Sequence, residues 1–201
     1  MHAQGIYSEG LSSGIYTWAT KPAASAASGA TIRISDVGPG GSLWTSNGSD
    51  WFPVGGIVTL AVSGANVPHT GTINETTLTT VSIPADIMGA NGAIELLPLY
   101  DYTNSANTKT LRAKFGGGLV YSIATTTTTS CQMQYIVRNA NSKSAQVAQA
   151  SSGSTGMGAV ASALLTGSIN TANAVSLTIT GQLANSGETI NLRGYIVRLI
   201  K

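Results

Sequence analysis

Charge is what this sequence has least of. Asp, Glu, Lys and Arg together make up 9 % of its 201 residues, against about 25 % in ordinary globular domains. Net charge is +2, and the ten lysines and arginines are spread from Lys21 to Lys201 without a basic run. Phosphate-backbone binding wants clustered cations, so no nucleic-acid partner is expected. There is one cysteine, Cys131. It cannot form an internal disulfide, and it shares a strand phase with Met133, Tyr135 and Val137, which reads as a small buried hydrophobe. No apolar run approaches the ~20 residues of a membrane span, so no membrane insertion is expected. The first residues, MHAQGIYSEG, lack a basic segment followed by an apolar one, and no secretory signal is expected.

The chemistry of catalysis is equally sparse. Of the two histidines, His2 lies at the start and His69 in Pro68-His69-Thr70-Gly71, which reads as an exposed turn. A zinc site needs about four ligands with local pairs, and one distant cysteine does not supply them. Glycosidases need carboxylates about 5–10 Å apart. Glu95 and Asp101 share a strand face, but six residues at ~3.3 Å set them about 20 Å apart. Asp101 reads instead as a cross-strand partner of Lys109 or Arg112. No G-x-S-x-G elbow occurs. The GPGG and FGGG runs are followed by neither Lys-Ser/Thr nor a helix, so they are not phosphate loops. The expectation is a non-enzymatic protein with no metal and no cofactor.

What the chain does have is alternation. AIELLPLYDYTNSANTKTLRAKFGGG, residues 93–118, reads as two antiparallel strands joined by a polar turn. Ile94, Leu96, Tyr100 and Tyr102 fall on one face, with Leu97 and Leu99 on the other; Leu111, Ala113 and Phe115 alternate with Arg112 and Lys114. Val58, Leu60 and Val62 give an earlier strand. Thr-rich residues 73–83 give another, followed by one helical turn at 85–89. Residues 119–124 and 131–138 extend the series, with the threonine run 125–129 as strand or rim. Residues 151–158 read as a loop, and 160–165 as a strand in preference to a short helix. Val175, Leu177 and Ile179 alternate without exception. Ile190 and Leu192 give way to Tyr195, Val197 and Leu199 across Gly194, which predicts a bulge there. Eight or nine such strands from residue 57 onward argue an all-β, antiparallel sandwich or barrel.

Before residue 57 the pattern differs. Residues 1–30 read as an extended attachment arm whose sizeable apolar groups are Ile6, Tyr7, Leu11, Ile15, Tyr16 and Trp18. Residues 31–56 read as a small Trp/Gly-rich β-module, with Asn47-Gly48 as a two-residue hairpin signal. Trp44, Trp51 and Phe52 are its packing and assembly residues. Such a module is marginal in isolation, and is expected to stack on a copy of itself or on the next domain.

The run IRISDVGPGGSLWTSNGSDWFPVGG resembles a short module common in tailed-bacteriophage fibre and virion-surface proteins. The shared pattern is carried by Asp36, Val37, Gly38, Gly41, Ser42, Trp44, Ser46, Gly48, Trp51, Pro53, Val54 and Gly56. SIPADIMGANGAIELLPLYDYTNSANTKTLRAKFGG is similar to the C-terminal domain of the same proteins. The resemblance implies a trimerising, jelly-roll-like β-sandwich over residues 57–201. It implies a homotrimer that contacts other phage capsid or tail proteins, located in the virion and assembled in the bacterial host cytoplasm. The expected role is a capsid decoration or short head or tail fibre attached through its N-terminal part. The subunit-contact candidates are Leu97, Leu99, Tyr100 and Tyr102. The alternative is a fibre-tip module that recognises host surface glycans, with Tyr7, Tyr16, Trp18, Tyr100, Tyr102 and Tyr121 stacking on sugars.

Overall fold

A computed structural model describes residues 14–150 and 159–201. Ile6, Tyr7, Leu11 and the loop expected at 151–158 lie outside the described residues. The chain divides into two compact units, Met1–Val58 and Thr59–Lys201.

The first unit is a four-stranded sheet in the order β1 (Ile15–Tyr16), β2 (Thr31–Ile34), β3 (Ser42–Ser46) and β4 (Trp51–Pro53). β1 runs parallel to β2; the other pairs are antiparallel. Ile32 and Ile34 are buried while Thr31 and Arg33 are exposed, the period of two expected of a half-buried strand. Trp44 is fully buried, and Trp18 packs on it at 4.8 Å between ring centroids. Trp51 is 2 % exposed, and its indole N–H donates to the Pro22 carbonyl at 3.0 Å. The Ser46 hydroxyl donates to the Ala24 carbonyl at 2.8 Å, and the Trp18 N–H donates to Asp36 at 2.7 Å.

These bonds correct the reading of residues 14–30 as an arm: the segment is part of the module and contributes a strand and a tryptophan to it. Ile15 is exposed, Tyr16 half-buried and Trp18 buried. The Asn47-Gly48 expectation is also corrected. The β3–β4 connection is four residues long, because the Asn47 side chain accepts from the Ser49 and Asp50 N–H groups at 2.9 and 2.8 Å and holds a wider turn.

The second unit packs two antiparallel sheets. Its strands are β5 (Ile57–Ser63), which begins at the end of the first unit, β6 (Val67–His69), β7 (Thr76–Ile83), β8 (Ala93–Tyr102), β9 (Lys109–Phe115), β10 (Leu119–Thr125), β11 (Ser130–Gln132), β12 (Tyr135–Asn139), β13 (Gln146–Ala148), β14 (Leu165–Gly167), β15 (Val175–Leu183) and β16 (Ile190–Ile200). One sheet has the order β10-β9-β15-β7. The wider one has β14-β13-β12-β8-β16-β5, with β11 also on β8 and β6 also on β16. Taking β5/β6 and β11/β12 as one strand each, the wide sheet runs first, eighth, third, sixth. The narrow one runs second, seventh, fourth, fifth. That is the double Greek key of a jelly roll, extended at one edge by β13 and β14.

Alternation decides what lies between the sheets. Leu111, Ala113 and Phe115 of β9 and Leu177 and Ile179 of β15 point inward, as do Ile94, Leu96, Tyr100 and Tyr102 of β8. Tyr121 and Tyr135 meet across the gap at 5.3 Å between centroids. The Tyr102 hydroxyl is held by Thr128 at 2.9 Å and by the Ser130 carbonyl at 3.0 Å, so the threonine run forms a rim over the core. The β8–β16 register slips between Leu192 and Gly194, leaving Arg193 as the extra residue. Glycine is required at 194, since a Cβ would stand 2.6 Å from the Ser63 carbonyl.

Three local expectations change. Residues 85–89 form turns, with Asp86 at φ 62°. Of residues 160–165 only Leu165 is in a strand. His69 is buried at the end of β6, opposite Ile190.

Candidate interaction surfaces

The two sheets differ on the sides that face away from the core. The narrow sheet is hydroxyl-rich there. Thr80 pairs with Thr178, Ser82 with Ser176, and Thr77 with Thr180, while Arg112 and Lys114 line β9. Glu75 binds Lys114 at 2.6 Å and Arg112 at 3.5 Å, and accepts from Thr180. Burial pushes the Glu75 carboxyl up, but the Lys114 and Thr180 hydrogen bonds and the two positive charges outweigh it and hold it below its usual value.

The wide sheet is apolar on the same side. Leu97 lies opposite Ile196 and Leu99 opposite Gly194; in the neighbouring rows Ile136 lies opposite Glu95, and Ile200 opposite Ala93. Leu97, Ile136, Ile196 and Ile200 are half-buried and Leu99 is 45 % exposed. β5, at the edge beyond β16, holds Ile57, Val58, Leu60 and Val62 yet has no buried residue. Two ion pairs and the exposed Arg138 interrupt this face. Glu95 meets Arg198 at 3.3 Å and accepts from Gln134 at 2.7 Å. Asp101 accepts from Asn191 at 2.6 Å and pairs with Arg193. Burial raises the Asp101 carboxyl, but Asn191 and Arg193 more than reverse this.

Of the four subunit-contact candidates, Leu97 and Leu99 face outward. Tyr100 and Tyr102 are corrected to core residues, 0 % and 6 % exposed, because even-numbered positions of β8 point between the sheets. Burial drives the Tyr100 phenol far above its ordinary value. Trp44 and Trp51 line the core of the first unit, and Phe52 is half-buried on the opposite face of β4. The six aromatics considered for sugar stacking are largely spoken for: Trp18, Tyr100, Tyr102 and Tyr121 are buried, Tyr16 is half-buried, and Tyr7 lies outside the described residues.

The ion pairs expected for Asp101 are also reassigned. Lys109 is fully buried at the mouth of the 103–108 loop. Its ammonium meets Glu188 at 3.1 Å, the Ser105 hydroxyl at 2.6 Å and the Asn107 carbonyl at 2.9 Å. Glu188 accepts from Asn107 at 2.7 Å and from Ser105 at 2.5 Å, and these bonds, with Lys109 beside them, lower its carboxyl pKa. This cluster ties the β8–β9 connection to the β15–β16 connection. Among the described residues no three His, Cys, Asp or Glu side chains gather as metal ligands, and no helix is long and apolar enough to cross a membrane.

His69 makes a pH prediction. It is 3 % exposed, its Nε2 has no partner, and burial lowers its pKa below 6.5. The unfolded chain therefore takes up a proton that the folded chain refuses. Its effect is absent above 6.5, and stability falls as pH drops from 6.5 through the folded value. Urea midpoints at pH ~7 and ~5.5 should differ in the wild type, and His69→Phe should flatten the difference. An unchanged slope in the variant refutes this.

The chain matches no protein-family model and no curated sequence.

Proposed function

We propose that this chain is a non-enzymatic structural protein of a bacteriophage virion. It acts as a trimeric capsid decoration or a short head or tail fibre, attached through its N-terminal part. The contrast between the two outward faces carries this reading. A hydroxyl-rich face suits solvent. A face bearing Leu97, Leu99, Ile136 and Ile196, continued by the unburied strand β5, suits a neighbouring subunit. A low overall charge fits a protein much of whose surface is covered in an assembly. The motif resemblance over residues 31–56 supports the phage setting. The glycan-binding alternative loses support, because four of the six aromatics it relied on, Trp18, Tyr100, Tyr102 and Tyr121, are core residues.

Light scattering on the purified chain tests the assembly. The wild type is expected to run at the mass of three chains. Leu97→Glu with Leu99→Glu should weaken association at least ~30-fold, at ~2 kcal/mol for a central contact, with unchanged far-UV circular dichroism. A well-folded wild-type monomer at micromolar concentration overturns the reading. Quantitative mass spectrometry of particles, giving copies per virion, separates decoration from fibre.

A further inference from the structure

Arg138 stands exposed on the outward side of β12, and its guanidinium makes no ion pair or hydrogen bond among the described residues. The carboxylates that might neutralise it are engaged. Glu75 is held by Lys114 and Arg112, Asp86 by Lys143, Glu95 by Arg198, Asp101 by Arg193 and Glu188 by Lys109. In the first unit, Asp36 accepts from the Trp18 N–H and Asp50 from the Trp51 N–H, both at 2.7 Å. The sequence around Arg138 offers no substitute: from Tyr102 to Gly187 there is not one acidic residue.

Beside Arg138 opens a recess of about 390 Å³, lined by Val147, Ala148, Gln149, Val160, Ser162 and Leu164. Leu164 is 63 % exposed. An apolar recess with a free guanidinium at its mouth suits a carboxylate carried on an apolar segment, which Arg can grip in bidentate fashion. The remaining acid of the chain, Glu9, lies outside the described residues. It sits in Ile6-Tyr7-Ser8-Glu9-Gly10-Leu11, a short run with three large apolar side chains and no other charge.

We propose that this recess receives residues 6–11 of a second copy of the chain, with the Glu9 carboxylate on Arg138. Ile6, Tyr7 and Leu11 supply apolar cover for Val160 and Leu164. Charge complementarity favours this occupant: each described carboxylate already accepts a hydrogen bond or ion pair within its own chain, whereas residues 6–11 bring a carboxylate flanked by three large apolar side chains. The inference rests on the oligomer proposed above and adds an exchange of N-terminal segments between its subunits.

The full chain carrying the photo-cross-linker benzoylphenylalanine in place of Leu164 tests it, co-assembled with an isotope-heavy wild-type chain. Mass spectrometry is expected to find a light–heavy cross-link placed by fragmentation within residues 6–11 of the N-terminal tryptic peptide, which runs from Met1 to Arg33 because trypsin does not cut the Lys21-Pro22 bond. Arg138→Glu should cut its yield about tenfold, as loss of one charge-assisted hydrogen bond does. Adding Glu9→Arg should restore it. A cross-link confined to one chain, a link to any other segment or protein, or a yield indifferent to Arg138→Glu overturns the assignment. If light scattering shows an oligomer and the cross-link is missing, only this docking fails. If the wild type is a monomer, the assembly itself fails.

Discussion

Replacing Trp44 by alanine is expected to unfold the first unit and leave the jelly roll standing. Trp44 is fully buried and packs against Trp18, the two ring planes tilted by 57°. Large-to-small changes of a buried tryptophan cost about 3–5 kcal/mol. A unit this small holds only about 2–7 kcal/mol in total, at ~0.05–0.15 kcal/mol per residue. Trp18 of the segment 15–30 packs on Trp44, so loss of Trp44 loosens that segment's tryptophan and, through it, the bonds that join residues 15–30 to the sheet. Hydrogen exchange read peptide by peptide should show protection lost before Val58 and kept in Thr59–Lys201. Retained protection over residues 15–53 would contradict the account.

Lys109→Met is expected to lower the melting temperature of the second unit by roughly 5–10 °C. It removes the ammonium that Glu188 faces and leaves that carboxylate with Ser105 and Asn107 alone. The sign with pH follows from the lowered pKa of Glu188. Its ionised form stabilises the fold above its ordinary value of 4.5, and this is lost as pH falls through the lower folded value. The gap between wild type and variant should therefore narrow in acid. Adding Glu188→Leu should recover part of the loss, because an apolar pair in a buried site is tolerated better than half an ion pair. Calorimetry of the three proteins decides; a double variant less stable than the single one contradicts the reading.

The sheets were legible because each strand buries one side. In β9 the period of two is unbroken, in β8 it holds from Leu96 to Tyr102 and in β15 from Val175 to Ile179, and the change of phase at Gly194 marks the slip beside Arg193. What stayed hidden depended on partners distant in the chain. Residues 14–30 have no apolar period, since backbone bonds and a single tryptophan order them. β6 is three residues long and contains Pro68, so it carries no pattern. The ion pairs escaped for the same reason: Lys109 and Asp101 find Glu188 and Arg193 in or just before β16, which local spacing does not show. The apolar outward face was half visible in Leu97 and Leu99. Ile136 could have been added, being the large apolar residue out of phase with Tyr135 and Val137.

β16 lies between β8 and β5 although it is the latest strand of the unit to be synthesised. While the ribosome is still making the chain, β8 therefore waits with one ladder edge empty. The sheet closes only once translation has passed Ile200, so the domain forms late and by contacts of long sequence separation. A chain without β16 cannot present the paired Leu97–Ile196 row, the row proposed above to meet a neighbouring subunit.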